Sequence, residues 1–98
     1  MQDCLKCREL NKIIKIKLPE DLKSVIRLAK QKQLENVLSV VEDRNDVWFG
    51  KQSDFDELTE NNWNDLVLFK FECNCCARKF KLSCETYHGA GGDWQPIH

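Results

Sequence analysis

No apolar run in this chain of 98 residues approaches the ~18–20 residues that a membrane span requires. A strong charge of either sign is also missing. Fifteen Lys+Arg stand against sixteen Asp+Glu, for a net charge of −1, which excludes a strongly basic nucleic-acid binder on global charge. Proline (two) and glycine (four) are scarce, and no linker, repeat or low-complexity stretch interrupts the chain, so 1–98 reads as a single domain. Met1 to Cys7 lack the apolar stretch of a signal peptide, and a cytoplasmic location is expected. With 42% hydrophobic and 32% charged residues the composition is globular rather than disordered.

What is present is periodic. Lys12–Leu18 places Ile14, Ile16 and Leu18 two apart, a strand pattern that Pro19 ends. Glu20 and Asp21 put negative charge into a first helical turn, where the helix dipole favours it. Leu22, Val25, Ile26 and Ala29 then fall at i, i+3, i+4 and i+7, so Glu20 to about Gln33 is predicted as an amphipathic helix with Lys23, Arg27 and Lys30 outside. Leu34–Glu42 and Val47–Phe49 read as strands, separated by the turn signal Arg44-Asn45-Asp46. Leu66–Cys73 and Lys79–Thr86 alternate clearly and form a hairpin, and His88–Trp94 reads as a Gly-rich loop. The fold predicted is α+β: one main amphipathic helix packed on a short antiparallel sheet, with a zinc-ribbon-like C-terminal hairpin.

Six cysteines carry the strongest chemical signal. Cys4-x2-Cys7 and Cys73-x2-Cys76 are two knuckles, whose two-residue gap lets both sulfurs turn toward one ion. In a reducing compartment the leading expectation is a structural zinc ion held by Cys4, Cys7, Cys73 and Cys76. Reduced, metal-free cysteines and disulfides are the alternatives. Cys75 can replace Cys73 as a ligand, and Cys84 reads as a small buried hydrophobe beside Phe80 and Leu82. The unusual feature is the long interval from Cys7 to Cys73, which requires the N-terminus to return to the hairpin tip.

Charge is unevenly spread. Residues 1–34 carry +5, residues 35–69 carry −7 and the remainder +1. Between Gln52 and Phe69 lie Asp54, Asp56, Glu57, Glu60 and Asp65, with no base. This segment is either a solvated loop or a surface for a basic partner, and Asp54, Phe55, Asp56, Glu57, Glu60 and Trp63, with Trp48, are the candidate partner-binding residues. Core packing is the competing role for the aromatics.

The stretch from Phe71 to Leu82, continued by Glu85-Thr86-Tyr87-His88-Gly89-Ala90-Gly91-Gly92-Asp93-Trp94, together with the N-terminal Cys4-x2-Cys7, resembles small bacterial immunity proteins of polymorphic (Rhs-type and contact-dependent) toxin systems. The resemblance covers about the last third of the chain and the first knuckle. It implies a monomeric immunity (antitoxin) protein whose partner is a cognate toxin, with neither membrane nor nucleic acid as target. The acidic middle, which matches no pattern, is where recognition of one toxin is expected.

Two other classes compete with this reading. A zinc-ribbon nucleic-acid-binding or regulatory module is the alternative, since Lys6, Arg8, Lys12, Lys15, Lys17, Arg78, Lys79 and Lys81 flank the knuckles. An enzyme is not expected. Cys84 and His88 sit roughly 13 Å apart on an extended strand, and the Gly89–Gly92 stretch lacks phosphate-loop spacing.

Overall fold

The computed structural model describes residues 4–42 and 49–97. A short 3₁₀ turn, Arg8–Leu10, follows the first knuckle and leads to β1, Ile14–Ile16. Helix α1 spans Pro19–Leu34. Proline stands at its start, and Asp21 accepts hydrogen bonds from the backbone N–H groups of Lys17 and Leu18, both at 2.9 Å. The helix buries Leu22, Val25, Ile26 and Ala29, the stripe its periodicity predicts. It ends in a Schellman motif: Asn36 has φ 62°, Asn36 N–H donates to Gln33 O, and Val37 N–H donates to Lys32 O.

That ending leaves β2 only Leu38–Val40, shorter than the predicted Leu34–Glu42, because the helix runs on through Leu34 and Asn36 reverses the chain. The predicted turn at Arg44–Asp46 and most of the Val47–Phe49 strand lie outside the described residues. Helix α2, Gln52–Glu57, falls in the segment read as an acidic loop. Strands β3 (Leu66–Cys73), β4 (Lys79–Glu85) and β5 (Gly91–Ile97) follow.

All five strands form one antiparallel sheet in the order β1-β5-β4-β3-β2. The hairpin β3–β4 is therefore not C-terminal and not a free-standing ribbon, as the sequence had suggested. It is the middle of the sheet, and the chain continues into β5, which inserts between β4 and β1. Residues 91–97, expected to begin in a Gly-rich loop, are this strand. Its two glycines answer to close backbone approach: a Cβ on Gly91 (φ +77°) would lie 2.3 Å from Ile16 O, and one on Gly92 would lie 1.8 Å from Ser83 O.

The core lies between α1 and one face of the sheet. Val67, Phe69, Phe71 and Cys73 of β3 and Phe80, Leu82 and Cys84 of β4 are buried, alternating with outward residues. Trp94 of β5 is its largest member, packed on Phe71 and Phe80 with ring centroids 5.3 and 5.4 Å away. Its indole N–H donates to Leu10 O at 2.9 Å, which fastens the N-terminal arm to the last strand. No helix among the described residues is long and apolar enough to cross a membrane.

Candidate metal centre and the acidic segment

The hairpin tip is a tight knuckle. Cys73 N–H donates to Arg78 O, Ala77 N–H donates to Cys73 O, and Ala77 takes φ 65°. The N-terminal arm returns to this tip, held by the Trp94–Leu10 bond and by Lys32, a buried helix residue whose ammonium lies 3.4 Å from Glu9 and 3.6 Å from Glu35. The sulfurs of Cys4, Cys7, Cys73 and Cys76 consequently all lie within 4.8 Å of one another.

Their spacing fits a metal better than a disulfide. Cys4 Sγ is 3.8 Å from Cys73 Sγ, and Cys7 Sγ is 3.6 Å from Cys76 Sγ. A disulfide needs about 2.05 Å. The edge of a thiolate tetrahedron with metal–sulfur bonds of about 2.3 Å is about 3.8 Å. The four sulfurs can thus hold a metal ion. Backbone N–H groups, chiefly that of Cys7, lower the Cys4 thiol to about 6 from an ordinary 9.0. Burial and the surrounding sulfurs push Cys7 upward, and burial does the same to Cys73. Four thiolates this close repel one another, and a divalent cation among them resolves the conflict.

Of the other two cysteines, Cys75 borders this set through its contact with Cys4, and Cys84 lies apart from it. Cys75 is exposed, and its backbone N–H points at Cys73 Sγ from 3.4 Å. Cys84 is buried on the core face of β4, near the end remote from the knuckle, and burial raises its thiol. His88 is turned to Glu85, Nδ1 to Oε1 3.1 Å, rather than to sulfur.

The acidic segment is folded, contrary to a solvated loop. Phe55 is fully buried, with its ring edge-on to Phe69 and Phe71 at 5.3 and 5.1 Å, so it packs the core and offers nothing to a partner. The Lys30 ammonium sits 4.1 Å above that ring and donates to Phe55 O at the end of α2. Glu60 is not an uncompensated acid either. It receives both arms of Arg27, at 2.9 and 3.2 Å, which lowers its carboxyl and raises the guanidinium. Arg27 and Lys30, two of the helix bases predicted to face outward, are therefore tethers of this segment.

What remains exposed is narrower. Asp54 gives one oxygen to the Lys51 N–H at the start of α2, and Asp56 accepts from Gln52. Glu57 has no hydrogen-bond or ion-pair partner among the described residues. Trp63 is half-buried against the core. Trp48 lies outside the described residues. Asp54, Glu57 and Trp63, with Phe49 and Leu66, line a cleft of about 310 Å³. Nothing in the sequence marks this cleft, since it depends on a fold-back that positions Phe55 under β3.

The distinctive ending of the chain is structural. Thr86 Oγ1 donates to the carbonyls of Asn64 and Asp65, and Glu85 accepts from the N–H groups of His88 and Ala90. Comparison with protein-family models, with curated proteins and with solved structures returned no match to this chain.

Proposed function

We propose that this chain is a zinc-stapled binding protein that neutralises a toxin domain by protein–protein contact, an immunity protein without catalytic activity. The observation that carries the reading is the separation of two ends along β3. At one end four thiols form a set with no open ligand position, the form of a structural zinc site rather than a catalytic one. At the other end, about 23 Å away by strand rise, lies an acidic cleft walled by Trp63. Zinc would be held by Cys4, Cys7, Cys73 and Cys76 and would supply folding energy, with no reaction passing through it. A rigid scaffold displaying an acidic, aromatic-walled concavity suits a partner whose own active cleft is basic.

The test is twofold. Elemental analysis of protein purified without chelator gives one zinc per chain, and metal-free, fully folded protein refutes the staple. The reading expects a toxin domain encoded by a neighbouring gene, whose co-expression with this chain restores growth through a 1:1 complex. Growth arrest despite soluble, folded protein refutes the immunity role.

One observation favours a second reading, a nucleic-acid-binding module. Because the knuckles meet, Lys6 and Arg8 share one end of the molecule with Arg78 and Lys79. That reading requires binding to a labelled oligonucleotide that weakens steeply as salt rises.

A further inference from the structure

Trp63 lines two clefts, not one. On one side is the acidic cleft, whose described lining holds the carboxylates Asp54 and Glu57, the carboxamides Asn62 and Asn64, and no base. On the other is a cleft of about 160 Å³ with a larger apolar share, lined by Ile16, Leu18, Pro19 and Leu22, by the oppositely charged Lys17 and Glu85, and by the loop from Thr86 to Gly91. The two differ in chemistry and share a wall.

We propose that the two clefts are one docking surface, which seats a protein segment bearing an arginine or lysine in the acidic cleft and an aliphatic side chain in the other, draped across Trp63. This deepens the binding role proposed above and rests on it. Charge complementarity selects the basic residue. A guanidinium or ammonium entering the first cleft meets Glu57, which has no partner among the described residues, and the free oxygen of Asp54. Exposure selects the aliphatic one. Leu18 is 63% exposed on the rim of the second cleft, and Leu66 is 49% exposed on the rim of the first. Apolar side chains left open on both flanks of a half-buried tryptophan gain by being covered.

The surface is also preorganised. Glu85 receives the N–H groups of His88 and Ala90 and the His88 ring, and Thr86 is bonded to Asn64 and Asp65, so the loop behind Trp63 is fixed before a partner arrives. Tyr87, 71% exposed on the same loop, packs its ring edge-on to His88. Rigid aromatic anchors lose little freedom on binding.

The experiment is an NMR titration of the zinc-loaded full chain with acetyl-arginine amide, acetyl-leucine amide and acetyl-glutamate amide. Arginine shifts the amides of Asp54, Glu57 and Asn62, leucine shifts those of Leu18, Leu22 and Gly89, and the Trp63 indole N–H responds to both. Among peptides joining the two residues through one to four glycines, at least one binds tenfold or more tightly than either alone, because the second contact becomes intramolecular. Glu57→Gln weakens the arginine response at least fivefold and leaves the leucine response intact. Asp54 starts α2, so Asp54→Asn is read only alongside Glu57→Gln, which touches no cap. Equal shifts from the glutamate probe, or a Trp63 indole silent to all three, overturn the proposal. If the probes seat as stated while Glu57→Gln and Leu18→Ser variants still protect fully against a toxin that the wild type neutralises, the docking surface stands and the toxin is not its occupant. If protection holds and the probes do not seat, the docking surface falls alone.

Discussion

The two ends of β3 are built on opposite principles. At Cys73 the interactions turn inward: four sulfurs converge, Trp94 bonds Leu10, and Lys32 bridges Glu9 to Glu35. At Leu66 the chain is also anchored, through Phe55, Arg27 and Thr86, yet it leaves Glu57 without a partner among the described residues and Trp63 half open. Both ends are ordered by long-range contacts, but only one spends its chemistry inward. Fixation and availability are separable, and a surface can be rigid without being satisfied.

The contrast is broken most directly at the thiols. Cys73→Ser or Cys76→Ser should cost several kcal/mol, a share of the about 10–16 kcal/mol that zinc supplies in small metal domains. Chelator should lower the melting temperature of the wild type toward that of the variant. Equal melting with and without chelator would mean that this end is held by packing alone.

Next in size is Phe55→Ala, which empties the core beneath α2 and should cost about 3–5 kcal/mol in urea melts. A loss under 1 kcal/mol would return the acidic segment to the status of a loop. Cys84→Ser buries a hydroxyl where a thiol now sits and should cost about 1–3 kcal/mol, without altering zinc content. Zinc loss in that variant would place Cys84 among the ligands.

Smaller still is Arg27→Ala. It removes an exposed ion pair, so global stability should barely change. Amide exchange at Asn61 and Asn62 should nevertheless accelerate, because Glu60 is what ties that turn to α1. Unchanged exchange would show that the Thr59–Asn62 bridge holds unaided.

The smallest effect is one of pH. The N–H groups of Lys17 and Leu18 hold the Asp21 carboxyl below its ordinary 3.8. A folded value below the unfolded one stabilises at neutral pH, and the gain disappears as pH falls through the folded value. Asp21→Asn should therefore be less stable than wild type at pH 7, with the gap closing in acid. A gap independent of pH would assign the effect to shape rather than charge.

Helix α1 and the hairpin were legible because their information is local: Leu22, Val25, Ile26 and Ala29 repeat at helical spacing, and β3 and β4 alternate residue by residue. The convergence of the four sulfurs was legible through chemistry, since two knuckles suit one shared site whatever lies between them. Three features were not. Phe55 is buried by Phe69 and Phe71, and nothing in Gln52–Glu57 announces partners so far along the chain. Strand β5 was hidden by its glycines, which signal a loop in isolation and a close approach to Ile16 and Ser83 in the fold. The Glu60–Arg27 tether spans 33 residues, so an acid that looked uncompensated in its own neighbourhood was paired outside it.

The strand order has a temporal meaning. Among the described residues β1 pairs only with β5, and the sulfurs of Cys4 and Cys7 gather with those of Cys73 and Cys76. A ribosome releases the first members of both sets long before the second. Until Gly91–Ile97 is synthesised, Ile14–Ile16 has no edge to join, and until Cys73 and Cys76 emerge the first two thiols wait without their partners. Ordering then arrives in one late step that closes nearly the whole length of chain, a slow topology by contact-order reasoning. The nascent protein must be kept reduced throughout that interval, because a premature Cys4–Cys7 disulfide would forfeit the site before its other half exists.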